Sequence, residues 1–200
     1  MAKVKLTKNE LKKQKDALKM YQRYLPTLIL KKQQLQMEIR LTELRLKELH
    51  NEIRLLDESY KTWIAVFSEV NVFTPDILKI ARLKTGHGNI AGVMIPVFEG
   101  AEFDVALYDL ARTPLWLDTA VEKMKQALLL NLEAEVVEEQ IRRLAHELRI
   151  TTQRVNLFEK IKIPETKDNI KKIRVYLGDQ QTSAVVRGKI AKAGLEKAAH

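Results

Sequence analysis

Four histidines, a Gly-His-Gly tripeptide, one Gly-Lys pair and two adjacent glutamates are the residues of this 200-residue chain whose types and spacing could do chemistry. Gly86-His87-Gly88 could present backbone N–H groups to a phosphate, but a bare Gly-x-Gly lacks the rest of a phosphate-binding fingerprint and reads as a loop between a helix and a strand. A P-loop needs Gly-x-x-x-x-Gly-Lys-Ser/Thr, whereas Gly188-Lys189 is followed by Ile190 and lacks the earlier glycine. His50, His87, His146 and His200 show no metal-ligand spacing. Glu138 and Glu139 are neighbours, so on a helix they point about 100° apart and cannot converge as an acid/base pair. No catalytic residue, cofactor-binding residue or metal ligand is expected.

The elements that carry these residues are mostly helices. Ala, Glu, Lys, Leu and Arg together make up 98 residues, or 49% of the chain, the composition of a long helix or coiled coil. Gly and Pro number only 12, too few for the turns of a sandwich or barrel. With Leu11 at position a of a heptad, the a series runs Leu11, Leu18, Leu25, Lys32, Ile39, Leu46, Ile53, Tyr60, Phe67. The d series runs Gln14, Tyr21, Leu28, Leu35, Thr42, Leu49, Leu56, Trp63, and 14 of these 17 positions are apolar or aromatic. At about 1.5 Å per residue, roughly sixty helical residues make a rod of about 90 Å. A second seam has Ala120, Ala127, Ala134, Ile141, Leu148 and Val155 at a, with Lys123, Leu130, Val137, Leu144, Thr151 and Phe158 at d. Two such helices in one chain pair most simply as an antiparallel hairpin. Pro26 removes one helical hydrogen bond, which predicts a kink or break; Lys32 and Thr42 read as local loosening of the seam.

Residues 72–117 hold four of the seven Gly and three of the five Pro. Thr74-Pro75-Asp76 reads as a helix start, opening a short helix through Ile77, Ile80 and Leu83 that stops before Gly86. NIAGVMIPVF and AEFDVALYD, separated by Glu99-Gly100, read as the strands of a small hairpin, and Thr113-Pro114 as the start of the second long helix. The expected fold is mainly α, a long antiparallel two-helix coiled coil with a small α+β head at the end opposite the termini. Its divisions are an N-terminal helix over 1–71, a head over 72–117, and a C-terminal helix with a basic tail over 118–200.

Charge is distributed unevenly. The chain is formally +9. Residues 1–34 carry ten Lys/Arg and two acids, residues 160–200 carry ten and four, and the middle is net −5. An antiparallel pairing gathers the basic ends at one tip, where self-repulsion opposes folding unless a partner offsets it. Nucleic acid would be one such partner, but the basic segments contain few aromatics and no binding module. The absence of Cys fits a reducing compartment. No stretch approaches the roughly 18 apolar residues of a membrane span, so membrane association is expected only indirectly.

Three stretches resemble the D subunits of the V-type/A-type ATP synthases. Near the N-terminus they are Thr7, Leu11, Leu18, Leu30-Lys31-Lys32 and Leu35; in the head, Asn89-Ile90-Ala91-Gly92-Val93 and Pro96. Near the C-terminus they are Gln153-Arg154-Val155-Asn156-Leu157-Phe158-Glu159, then Ile163-Pro164, Ile170, Ile173 and Leu177. Departures fall at Tyr24-Leu25-Pro26-Thr27 and at Leu157-Phe158. The resemblance implies a non-catalytic central rotor shaft that couples ATP synthesis or hydrolysis to proton or sodium transport, cytoplasmic and peripheral to the membrane. It also implies partners: the catalytic and non-catalytic nucleotide-binding A and B subunits, a small central-stalk F protein, and a C/d-type docking protein on the rotor ring. On that basis Lys3, Lys5, Lys8, Lys12, Lys13, Arg187, Lys189 and Lys192 are expected to face acidic loops of the hexamer. The head hairpin around Ile90–Phe98, with Asn89, Gly92, Val93 and Pro96, is expected to contact rotor-side proteins or tune coupling. Arg154, Val155, Asn156, Glu159 and Pro164 are the family-like run. A prefoldin-like chaperone, also an antiparallel coiled coil with β-hairpins, and a basic nucleic-acid-binding coiled coil are the alternatives.

Overall fold

The computed structural model describes residues 4–61, 77–106 and 116–198. Its elements are α1 (Lys8–Lys61), β1 (Leu78–Ile90), β2 (Val93–Val105), α2 (Trp116–Asn156), a π-helical turn (Leu157–Lys162) and α3 (Ile163–Ala198). The chain divides into two compact units, Met1–Lys31 with Ile150–His200, and Lys32–Arg149. Trp63, Phe67, Thr74-Pro75-Asp76 and Thr113-Pro114 lie outside the described residues.

Helix α1 starts where Thr7 accepts the Glu10 N–H on its Oγ1 at 3.3 Å, the Ser/Thr-x-x-Glu arrangement that satisfies an orphan donor of the first turn. Every a and d position from Leu11 to Tyr60 is buried or half-buried, as a 3.5-residue apolar repeat requires. Pro26 does not break the helix, which continues through it. Pro26 and Gln22, whose carbonyl loses its donor, are both exposed, so water can supply the missing bond. Thr42 turns its hydroxyl onto the Glu38 carbonyl at 2.8 Å, which accommodates a polar group in the seam.

In the unit Lys32–Arg149 the two helices meet antiparallel. Leu49 packs with Ala134 and Val137, flanked by Leu46, Ile53, Leu130 and Ile141. Farther along, Leu35 meets Leu144, so α1 descends in number as α2 rises. Arg45 crosses the pair to Glu133 at 2.8 Å. Lys123, a charged residue at a d position, fits because its ammonium lies 5.9 Å from the centre of the Tyr60 ring, while its backbone carbonyl accepts the Tyr60 hydroxyl at 2.5 Å.

The segment expected to be a short helix is a strand. Ile77, Ile80 and Leu83 recur at helical spacing, but residues 78–90 pair antiparallel with 93–105 over nearly their whole length, and that ladder overrides the local pattern. The hairpin turn is Ala91-Gly92, not Glu99-Gly100. Ala91 (φ 51) and Gly92 (φ 80) both take positive φ, the two-residue turn whose twist matches the strands it joins, and Asn89 Oδ1 accepts the Gly92 N–H at 2.9 Å. Glu99 is the extra residue of a bulge, since Lys84 faces Gly100 and Thr85 faces Phe98. Gly86-His87-Gly88 is therefore part of a strand and not a loop. A Cβ on Gly88 would lie 3.0 Å from Val97 Cγ2, so glycine there permits close strand contact.

The hairpin also folds back along the helices instead of capping them. Its base, Ile77, packs on Leu117 and Val121, and its tip residues Ile90, Ala91, Val93 and Ile95 pack on Leu35, Ile39, Leu144 and Leu148. Strands of 13 residues reach about 43 Å at ~3.3 Å per residue. That matches the roughly 40 Å of helix between Val121 and Leu148 at 1.5 Å per residue.

Leu49 is completely buried and Leu55 is 62% exposed on the same helix. Urea unfolding should therefore show Leu49→Ala losing about 2–5 kcal/mol and Leu55→Ala less than about 0.5 kcal/mol. Burial, and secondarily the charge of Asp57, raise the Tyr60 phenol above its ordinary pKa. The folded chain thus holds that proton more tightly, so the stabilisation is complete below the unfolded value near 10 and is lost as pH rises through the raised folded value. Tyr60→Phe should cost about 1 kcal/mol at neutral pH and flatten the decline in stability measured above pH ~10.

Candidate functional site

The residues whose types could do chemistry are dispersed. His50, His87 and His146 are exposed on separate elements, and His200 lies outside the described residues. Glu138 is exposed, while Glu139 is held by ion pairs to Arg142 and to Arg143, the latter at 2.7 Å. Among the described residues no group of three His, Asp or Glu is placed to hold a metal ion, and no helix is long and apolar enough to cross a membrane.

The family-like run brackets the π-helical turn. Leading into it, the buried or half-buried positions Leu144, Leu148, Thr151 and Val155, and Phe158 at its start, keep the heptad spacing. A continued repeat would place Glu165 and Lys172 in the seam, yet both are exposed, and the buried positions become Thr166, Ile170 and Ile173. The seam has slipped by one residue. The turn Leu157–Lys162 absorbs it: the Ile163 N–H bonds back five residues to the Phe158 carbonyl, so one extra residue is taken up without ending the helix. Pro164 follows at the second position of α3, where its ring would otherwise crowd the Lys160 carbonyl and where the ladder is already widened. Thr166 donates its hydroxyl to the Lys162 carbonyl at 2.5 Å, restoring a partner on the far side. Of the run itself, Val155 is buried in the seam, and Arg154, Asn156, Glu159 and Pro164 are exposed. Tyr21 packs on Phe158 just before the slip, with ring centres 5.0 Å apart.

The basic residues divide into two groups. Lys5, just before α1, and Lys8, Lys12 and Lys13 in its first turns are exposed, and Lys3 lies outside the described residues. Arg187, Lys189 and Lys192 stand on a part of α3 where every residue from Gly178 to Leu195 is exposed, the apolar Val185, Val186, Ile190 and Leu195 included. Leu6 shares a depression with Val175, Tyr176 and Asp179, so the α1 lysines lie nearer that level than the later stretch of α3. What does converge is a set the sequence did not single out. Lys15 and Lys19 of α1 line one groove with Lys167, Lys171 and Arg174 of α3. The signal for it was Lys15 at position e of the heptad, beside the seam.

On the hairpin, Asn89 and Gly92 form the turn and Val93 packs inward. The Pro96 carbonyl accepts Gln140 Nε2 at 2.6 Å, and the Met94 carbonyl accepts Arg143 Nη1 at 3.4 Å, fastening β2 to α2. Met94 is exposed on the outer face, and Val97 is exposed on the face that carries Ile95, farther from the turn.

These elements define an antiparallel helical-hairpin protein carrying a folded-back β-hairpin. The profile of the family described as the D subunit of ATP synthase matches residues 10–193. A protein from Borreliella burgdorferi, named as the D subunit of V-type ATP synthase, is 52% identical over 197 residues, covering 98% of this chain and 97% of the relative. Proteins of the same name from Chlamydia pneumoniae and Chlamydia abortus are 37% and 36% identical, covering 96% and 97% of this chain and 93% and 94% of theirs. The chain belongs to the family of ATP synthase D subunits.

If the π-turn is a one-residue correction of register, deleting Lys160 together with Pro164→Ala should leave a regular helix with both seams in phase. Circular dichroism and urea unfolding are expected to place that variant within about 1 kcal/mol of the parent. Deleting Glu138 instead rotates the following seam by about 100° and should cost several kcal/mol.

Proposed function

We propose that this chain is the non-catalytic central rotor shaft of a V/A-type rotary ATPase. The observation that carries the reading is the bare stretch Gly178–Leu195, a helical continuation whose apolar and basic side chains are all exposed. A helix that presents Val186 and Ile190 beside Arg187 and Lys189 to water is suited to being covered by other polypeptides, and family membership supplies the complex. In this reading it enters the hexamer of A and B subunits, with Lys3, Lys5, Lys8, Lys12, Lys13, Arg187, Lys189 and Lys192 facing acidic loops. Torque then passes through packing: side chains such as Leu35 and Leu49 lock the helices together, so turning one carries the other.

The same reading assigns the side of the shaft to the small F protein of the central stalk and the opposite foot to the C/d-type docking protein of the rotor ring, which moves protons or sodium ions. The chain would then be cytoplasmic and reach the membrane only through that docking protein. The outer face of the hairpin, with Met94, is the surface through which it would contact rotor-side proteins or tune coupling. Residues 1–71 and 118–200 form the shaft and 72–117 the head.

Native mass measurement of this chain mixed with the A and B hexamer and the F protein should give one copy per hexamer. Reversing Lys8, Lys12, Lys13, Arg187, Lys189 and Lys192 to Glu should weaken that complex at least tenfold at low ionic strength. No complex with the parent chain, or equal binding by the reversed variant, would defeat the proposal.

A further inference from the structure

We propose that the groove between α1 and α3 around Leu18 and Ile170 is a docking site for an acidic segment of another polypeptide, anchored by one apolar side chain. The groove encloses about 450 Å³. Lys15 and Lys19 form one wall, Lys167, Lys171 and Arg174 the other, and Leu18, Ile170 and Val175 contribute apolar surface. No carboxylate lines it. Asp16 lines an adjoining depression with Lys19 and Arg23, and Asp168 and Asp179 line another with Lys171 and Lys172.

The placement of these cations runs against coiled-coil practice. Residues flanking a seam usually pair with the opposite charge across it. Here Lys15 flanks Leu18 on one helix, Lys167 and Arg174 flank Ile170 and Ile173 on the other, and cation faces cation. None of the five has an ion-pair partner among the described residues. Like charges held close oppose the very pairing that positions them, and an acidic occupant removes that penalty.

The apolar surface selects the kind of polyanion. A phosphate chain gains nothing from Leu18, Ile170 or Val175, and the groove lining includes no aromatic ring on which a base could stack. A peptide with carboxylates on both flanks and one leucine-like side chain between them satisfies the walls and the apolar surface together, as a short third strand on the two helices. The inference rests on the rotor-shaft reading only for which neighbour supplies that segment.

The full-length chain can be titrated, at low ionic strength, with a fluorescent synthetic peptide of alternating glutamate and alanine bearing one central leucine. Anisotropy should show saturable binding that weakens about tenfold or more in Lys167→Gln/Lys171→Gln/Arg174→Gln. It should stay within about twofold in Lys47→Gln/Arg54→Gln/Lys61→Gln, three exposed cations elsewhere on α1. Replacing the peptide leucine with glycine should weaken binding about fivefold or more. The groove variant should also melt at the same or a higher temperature than the parent at low salt, because repulsion has been removed. Equal binding by the groove variant, equal affinity for the leucine-free peptide, or tripolyphosphate or single-stranded DNA competing as tightly as the peptide would each overturn the proposal. Peptide binding that follows the groove while no hexamer complex forms would overturn the rotor-shaft reading and leave this one standing.

Discussion

Two apolar stripes, each useless alone, carry this protein. An amphipathic helix in water exposes its stripe at a cost of about 25 cal/mol per Å², and only a facing stripe in matching phase removes it. Phase is therefore the governing constraint. Lys123 is tolerated at a d position because Tyr60 offers both a ring face and a hydroxyl. Thr42 is tolerated because its hydroxyl finds a carbonyl within its own helix. The π-turn exists because the stripe following Phe158 is written one residue later than a regular helix would present it.

The hairpin obeys a related constraint. Two strands alone are marginal in water, so β1 and β2 bury Ile90, Val93 and Ile95 against Leu35 and Leu144. This adds a second layer to the helix pair locally, and Gln140 ties the Pro96 carbonyl to it. Pro96 has no N–H to contribute to a ladder, which suits an edge position whose carbonyl is wanted elsewhere. Met94 points away from the helices and is exposed while its neighbour Ile95 is buried; Val97, on the Ile95 face but farther from the turn, is exposed as well.

The helices were legible because their period is local: seventeen positions from Leu11 to Phe67 report one repeat, and a few polar residues cannot hide it. The hairpin was only half legible. Ile77, Ile80 and Leu83 mimic a helical face over a window too short to separate the two periods, and the partners that decide the matter lie some twenty residues away. The turn was misplaced because Glu99-Gly100 looks like turn chemistry, while Ala91, an unusual residue at positive φ, conceals the true turn. In the candidate site, outward lysines at the helix ends could be named from composition. The groove required knowing that Lys15 lies opposite Lys167 and Arg174, which only the pairing register decides.

The bare stretch of α3 has a thermodynamic consequence. Gly178, Gly188 and Gly194 stand in open space along it, and each disfavours helix by about 1 kcal/mol relative to alanine. Thr182, Val185 and Val186 add no helix preference, and with every residue from Gly178 to Leu195 exposed, packing does not compensate. A helix of this length without packing sits close to its own coil transition. Its ordering would be coupled to the binding of any partner, whose affinity is the intrinsic contact energy reduced by the entropy of winding the helix. A contact made along this segment is therefore weaker, by that entropy, than the same contact on a helix already held in place by packing.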